Sequence, residues 1–526
     1  MKRYIIKSLV ILLLITSVFQ VVAISSFDLI SSFRVTIAPY WIIGLFVIGF
    51  LAYLFFTDRS ELYLWENSPK SIKWAFILIS IFLVYTIISA FLFPWIFKGI
   101  DVLNLRLGMD AQYMNPSQLE WSFSNLGQIV YLFVNFCVFI FLIYSISSMR
   151  KLSLFFKVYW IIGVITIGFG IFQHFSVYYF PNQVYEQLYA IFHNNHLYSS
   201  LPSNTLRTNS FFGEASWFSG FAITFSIMML TLFLYSGKKQ FLLLIIMGFY
   251  SVLIALSTTG IITLVLSVLF LSLFVVVQAI RIKTKGRSIF GRLVLSLTLI
   301  AGVFVFFQQE QSLVNSFRSL LIEKNQLQKE TSSISVAPRS EVDDTFMVSL
   351  SRKPLASSTN LEVDDRNFEK FVTNEPPPEN DDQVDLMEQL KLYTIDKFSS
   401  LSFRNRLWAD QFSVTQVLPS TYFLGAGWGS NRPSSFATFL LSNVGIIGFL
   451  SFFGFVVLLL KEFLKNFSTL EPLIISIATG FFTYLLAMII ALPDLNWPPT
   501  FWLLAGMMVA GLLIYKKETS NSHQTS

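Results

Sequence analysis

FLLLIIMGFYSVLIALSTTGIITLVLSVLFLSLFVVVQAI, residues 241–280, carries no charged side chain. A helix needs about 20 mainly apolar residues to cross a bilayer. This stretch is long enough to cross twice. Ser257, Thr258, Thr259 and Gly260 are its only unbroken run of hydroxyl and glycine residues and supply the break. The pattern predicts two spans joined by a tight hairpin at that break.

Working outward, similar apolar runs lie near 5–24, 39–57, 72–97, 126–146, 154–175, 215–236, 240–257, 260–280, 292–308, 434–460, 470–490 and 497–515. They predict an all-α integral membrane protein of about 12 transmembrane helices. Composition agrees, with 54% hydrophobic and 13% charged residues in 526. A soluble chain carries about a quarter charged residues. The first run can also be read as a signal peptide, because Lys2 and Arg3 precede it and the small residue Ala23 stands near its end.

Charge sets the expected orientation. With the N-terminus in the cytosol and the sides alternating, the inner segments collect 20 of the 37 Lys and Arg residues but only six of the 31 Asp and Glu. That is the positive-inside bias. It places both termini in the cytosol. It also accounts for the +6 net charge without a polyanionic partner, which argues against nucleic-acid binding.

Three outer segments are long: 98–125, 176–214 and 309–433. The large outer loops precede the sixth and tenth spans. The chain divides into a bundle of nine spans (1–308), a large outer loop (309–433), and three further spans with a cytosolic tail (434–526). The middle of the loop, 325–385, is rich in Ser, Asp, Glu and Pro. Such composition resists folding on its own, and solvation accounts for its acidity. Residues 386–418 are amphipathic and predict interfacial helices. Asp410 and Gln411 make them too polar for another span.

No phosphate loop, dinucleotide fingerprint, HExxH or GxSxG motif is present. The spans contain almost no ionisable groups, whereas ion-coupled transporters place some at mid-depth. Cys137 has no partner at metal spacing and reads as a packing residue. His193 and His196 in FHNNHLY have no third ligand nearby.

Polar residues gather instead at the outer face. In SLPSNTLRTNSFFGEASWFSGFAITFS (200–226), Arg207 and Glu214 flank a glycine-containing elbow, and Glu214 stands where a helix begins. A carboxylate there also has a structural reading, since the helix dipole favours it. In LSFRNRLWADQF (401–412), Arg404 and Arg406 stand beside Trp408. With Arg207 and Arg432 they give four outer arginines near membrane ends. Arginine suits bidentate phosphate recognition, and ordinary interface arginines are the alternative. In YFLGAGWGSNRPSSFATFLLSNVGIIGFLSFFGF (422–455), Gly425, Gly427 and Gly429 make a close-approach turn whose amides could form an anion nest.

RTNSFFGEASWFSGF (207–221) resembles the R-x-x-G-F-F-x-E-P-S-x-F-A element of bacterial O-antigen and capsular polysaccharide polymerases of the Wzy type. FRNRLW, FLGAGWGS and LLSNVGIIGFL resemble the pattern R-x-x-x-W, G-x-G-x-G, G-I-I-G that these polymerases share with O-antigen ligases. The motifs cover about 60 residues, and the arrangement of spans and outer loops matches over the rest. Two positions depart. Ala215 replaces the usual proline, and NRPSSFATFLLSN (431–443) lacks the histidine usual in ligases. The second favours polymerase.

The resemblance implies a metal-independent glycosyltransferase in the bacterial plasma (inner) membrane, without cofactor. Two undecaprenyl-diphosphate-linked glycans would meet at the outer face, with a chain-length regulator and a flippase as possible partners besides the membrane lipids. It implies that Arg207, Arg404 and Arg406, with Gly427 and Gly429, hold diphosphate. Arg207 would also act in catalysis by stabilising developing charge. Glu214 would be the general base, and Trp408 would stack on sugar. Ligase and flippase or other transporter are the rival expectations.

Overall fold

The computed structural model describes residues 2–19, 22, 25–30, 33–57, 68–103, 116–179, 208–281, 288–309, 401–491 and 499–524. The protein is a mostly helical, multi-pass membrane protein. In chain order the helices are α1 (Lys2–Thr16), α2 (Pro39–Thr57), α3 (Lys70–Ile96), α4 (Phe123–Ser145), α5 (Met149–Tyr179), α6 (Ala215–Ser236) and α7 (Gln240–Ile254). They continue with α8 (Thr258–Arg281), α9 (Ser288–Gln309), α10 (Leu401–Phe412), α11 (Phe436–Asn466), α12 (Pro472–Ala491) and α13 (Thr500–Gln524). Ten of these are long and apolar enough to cross a membrane. Helix is the expected solution there, because lipid offers no partner for backbone N–H and C=O groups.

Three expectations need correction. The first apolar run does not stay helical to residue 24: α1 stops at Thr16 and is shorter than a full span. Its Thr16 and Ser17 hydroxyls bond the carbonyls of Leu12 and Leu14 as the helix ends. A two-stranded antiparallel ladder comes next, β1 (Ser25–Ile30) with β2 (Phe33–Ile37), and a second small ladder pairs β3 (Asp101–Val102) with β4 (Ser117–Gln118). The hairpin break after α7 falls where Ser257–Gly260 puts it, but α7 spans only 15 residues. Lastly, the run predicted at 434–460 is helical to Asn466 and broken at Gly445.

Contacts fix the helix directions. Ser71 bonds Glu462, and the side chain of Leu78 lies against Gly454, so α3 and α11 run antiparallel. Phe50 meets Phe141 while Tyr40 bonds Asn135, so α2 and α4 run parallel. Gly163 and Gly170 of α5 face Phe225 and Phe218 of α6, again antiparallel. Phe274 of α8 packs on Phe463 and Phe467 of α11. These pairings give the bundle two ends. One, the loop end, carries the breaks at 17–38, 97–122, 208–214, 255–257 and 413–435. The other, the basic end, carries Lys70, Lys73, Arg150, Lys151, Lys238, Lys239, Lys516 and Lys517.

Helix α6 is the axis of the packing. All of its span is buried, against 28% for α2 and 17% for α9. Its composition explains this. Ser219, Gly220, Ala222, Thr224 and Ser226 let neighbours approach closely, and lipid-embedded helices associate through such packing rather than through the hydrophobic effect. The hydroxyls of Ser226 and Thr231 bond carbonyls one turn back, and that of Ser476 on α12 reaches the Met228 carbonyl of α6. Residues 2–309 and 401–524, where described, belong to one compact unit. The acidic stretch 325–385, the interfacial stretch before 401, and His193 and His196 lie outside the described residues.

Candidate functional site

The segment 401–445 builds the most elaborate structure at the loop end. Helix α10 exposes Arg406, Leu407 and Trp408 and buries Ala409. The Trp408 ring stacks on Phe412, one turn on, at 5.2 Å. A π-helical turn, Ser413–Val417, and a last helical turn, Leu418–Ser420, come after it. The chain then turns sharply, with Tyr422 and Phe423 at φ of 52° and 63°. Left-handed backbone costs a non-glycine residue about 1 kcal/mol or more. The hydroxyl of Tyr85 bonds the Leu424 carbonyl and ties this turn to α3.

Beyond this turn the chain inserts its backbone into a broken helix. At Gly445 (φ 58°, ψ −164°) helix α11 unwinds. The amides of Ala426 and Gly427 donate to the carbonyls of Ser442 and Asn443 at 2.8 and 2.9 Å, and the Ile446 amide donates to the Phe423 carbonyl at 3.0 Å. The glycine turn thus supplies the hydrogen bonds that the broken helix loses. A Cβ on Gly425 would overlap the Asn443 carbonyl, and one on Gly445 would overlap the Phe423 carbonyl. Two backbones touch here, and glycine at both positions is a steric requirement.

Three buried asparagines hold the turn. The Asn443 carboxamide oxygen accepts the amides of Ser430 and Asn431, both at 3.0 Å, and its nitrogen donates to the carbonyls of Asn431 and Phe439. The nitrogen of Asn431 donates to the hydroxyls of Ser413 and Ser442, and its oxygen accepts the Leu103 amide. Asn125, in the first turn of α4, donates to the Trp428 carbonyl and the Ser430 hydroxyl. Asp410 accepts the amides of Ser434 and Ser435 and the Thr438 hydroxyl, and so caps the start of α11.

Two amides of the glycine turn have partners within the protein. The Gly425 amide donates to the Thr421 hydroxyl, and the Gly427 amide to the Asn443 carbonyl. Those donors are spent inside the protein. Gly427 and Gly429 (φ 101° and 77°) also pass close to Pro94 and Gln128.

Glu214 sits on a second elbow at the same end. It is the N-cap residue of α6, as its place in the sequence predicts, and its carbonyl accepts the Trp217 and Phe218 amides. Its half-buried carboxylate accepts the Ser216 hydroxyl at 3.0 Å. The elbow is clamped by Gln173 of α5, whose oxygen accepts the Ser210 amide at 2.7 Å and whose nitrogen donates to Asn209. Phe211 stacks on Phe169 at 4.3 Å, and the Thr208 amide bonds the last carbonyl of α7. The two phenylalanines of the SFFGE motif are buried and anchor the elbow, leaving Glu214 at its rim.

Of the residues singled out from sequence, Arg406, Trp408, Gly427 and Gly429 lie on one continuous segment. Glu214 lies on its own elbow at the same end of the bundle. Arg207 and the side chain of Arg404 lie outside the described residues. Sequence reading missed Asp410 as a cap, the asparagine triad, and the break at Gly445. Asn431 and Asn443 stand inside quoted motifs, and a polar residue within an apolar run is itself a signal. Among the described residues no group of three His, Cys, Asp or Glu side chains is arranged to hold a metal.

Compared with known proteins, the chain matches no family model, no curated protein and no solved structure.

Proposed function

We propose that the protein polymerises undecaprenyl-diphosphate-linked repeat units at the outer face of the bacterial plasma membrane. The observation carrying this reading is that the motif-bearing segments occupy one end of the bundle, opposite the basic end. The elbow with Glu214 and the segment from Arg406 to Gly445 both belong to that end. In this reading α1 and α7 also traverse the membrane, giving twelve crossings with both termini in the cytosol.

The chemistry rests on the residue types. A sugar hydroxyl of one glycan attacks the anomeric carbon of the other. The bond from that carbon to the diphosphate oxygen breaks, and the lipid diphosphate leaves. Glu214 takes the hydroxyl proton as general base. Arg207, Arg404 and Arg406 neutralise the charge that develops on the leaving oxygen. Trp408, exposed beside Arg406, offers a ring face to a sugar. The asparagine triad has a positioning role, holding the turn next to these groups.

One observation favours a transporter: discontinuous membrane helices commonly line transport sites, and α11 is discontinuous. Its freed carbonyls at Ser442 and Asn443, however, are bonded by Ala426 and Gly427, which leaves them committed to the fold.

The test is a size profile of surface and lipid-linked glycans in wild type, a deletion, and Arg207→Ala at equal protein level. Collapse of the ladder to single repeats in both altered strains is expected. Long lipid-linked chains that never reach a final acceptor would mean ligase. Single units trapped on the cytosolic leaflet would mean flippase.

A further inference from the structure

At the basic end, helix α1, the end of α4 and the start of α5 line an open pocket of about 220 Å³, with Lys7 and Lys151 exposed at it. Lys7, Ser145 and Lys151 line it, together with Ile6, Leu154 and Phe155. None of the residues lining it is acidic. Three independent features point to an anion.

The first is a stranded hydroxyl. Ser145 is 2% exposed, and its side-chain oxygen is fully buried with no hydrogen-bond partner among the described residues. A buried polar group without a partner is unfavourable by about 1–3 kcal/mol, so an occupant that bonds it is favoured. The second is the pair of cations. Lys151 donates to the Ser145 carbonyl at 3.3 Å and to the Ser147 hydroxyl at 2.9 Å. An ammonium has three donors, which leaves one for a ligand. Lys7, five residues into α1, has no ion pair among the described residues. The third is the first turn of α5, from Met149 to Lys151, whose N-terminal dipole favours negative charge.

We propose that this pocket binds the phosphate headgroup of an anionic phospholipid from the leaflet at the basic end. Phosphate oxygens accept from Lys7 and Lys151, and the Ser145 hydroxyl, enclosed in the free protein, rotates about χ1 to donate to the same anion. The first methylenes of the lipid lie on Ile6, Leu154 and Phe155. Basic pockets between membrane helices bind such headgroups. The apolar wall separates this occupant from free phosphate, which has no use for it. The inference is independent of the glycan reading and of the loop end.

The test uses the full-length protein in nanodiscs of phosphatidylcholine doped with phosphatidylglycerol. Native mass spectrometry then counts the phosphatidylglycerol carried out of the bilayer. Preferential retention is expected, falling about fivefold for each lysine removed in Lys7→Gln and Lys151→Gln. Ser145→Ala should lower retention without removing charge, and it serves alone if the lysine variants fail to fold. Lys461→Gln with Lys465→Gln, exposed on α11 at the same end, should leave retention unchanged. Equal retention of the two lipids would overturn the proposal. So would retention unaffected by Lys7→Gln, Lys151→Gln and Ser145→Ala, or an equal loss in the α11 control. Displacement by inorganic phosphate would also overturn it, because the site would then take a soluble anion.

Discussion

The two ends of the bundle hold polar structure against apolar surroundings by different chemistry. At the loop end, neutral carboxamides of Asn125, Asn431 and Asn443 bond backbone amides and carbonyls, and the glycine turn completes a broken helix. At the basic end, a charged cluster joins α3, α11 and α13. Buried Glu462 accepts from the Ser71 hydroxyl and the Asn466 carboxamide, and it pairs with Lys516 at 3.7 Å. Lys516 also donates to Asn466 at 2.9 Å. A carboxamide has a donor end and an acceptor end, so its network specifies the path of a backbone. An ion pair tolerates looser geometry but penalises loss of either partner. The loop end is therefore built for shape and the basic end for attachment.

The sharpest way to break that contrast is at the backbone contact. Gly445→Val puts a branched side chain where the Phe423 carbonyl lies, at a backbone conformation that only glycine adopts easily. We expect a loss of about 4 kcal/mol or more, or no folded protein at all. Monodisperse yield and thermal midpoint in detergent measure it. Unfolding at the wild-type temperature would mean that α11 runs unbroken.

Next in size is Asn443→Asp. The change is isosteric, yet it replaces a donor facing the Asn431 and Phe439 carbonyls with a charged acceptor. We expect about 3 kcal/mol of destabilisation. Asn443→Ala should lose less, about 2 kcal/mol, because it strands amides without adding charge. Equal losses for the two would refute the directional account of this network.

At the basic end, Lys516→Met leaves Glu462 buried without its cation. The Lys516 side chain is 30% exposed, which screens the pair. We expect about 2 kcal/mol, below the usual range for a fully buried pair. Adding Glu462→Gln should restore most of it, and a double-mutant cycle reads the coupling. Additive losses would show that the charges are not coupled.

Legibility in the sequence divides along the same line. The apolar runs, the α7–α8 break and the N-cap place of Glu214 depend on residues close in the chain, and they were legible. The end of α1 at Thr16 was not, because Val18, Phe19, Val21 and Val22 keep the run apolar after the helix has stopped. Nor was the break at Gly445. GIIG inside LLSNVGIIGFL reads as ordinary membrane helix, and the break exists because a segment some twenty residues upstream pairs with it. Asn125 gains its role only from a turn three hundred residues away. Side-chain networks of this kind leave no periodicity to find.

The smallest expected effect on stability is the most informative about function. Arg406 and Trp408 are exposed on α10, and among the described residues Trp408 stacks only on its neighbour Phe412. Exposed positions of this kind change stability by about 0.5 kcal/mol or less. Arg406→Gln and Trp408→Ala should therefore melt with the wild type. If Arg406 holds diphosphate, removing a charge-assisted contact made in the transition state slows transfer by about a hundredfold. The glycan ladder then shortens at unchanged protein level. Trp408→Ala, which removes stacking and no charge, should shorten it less. The pair thus separates an exposed working surface from the buried scaffold beneath it. If both variants kept the full ladder, α10 would be part of the scaffold's rim, and the chemistry would have to lie with the elbow at Glu214 alone.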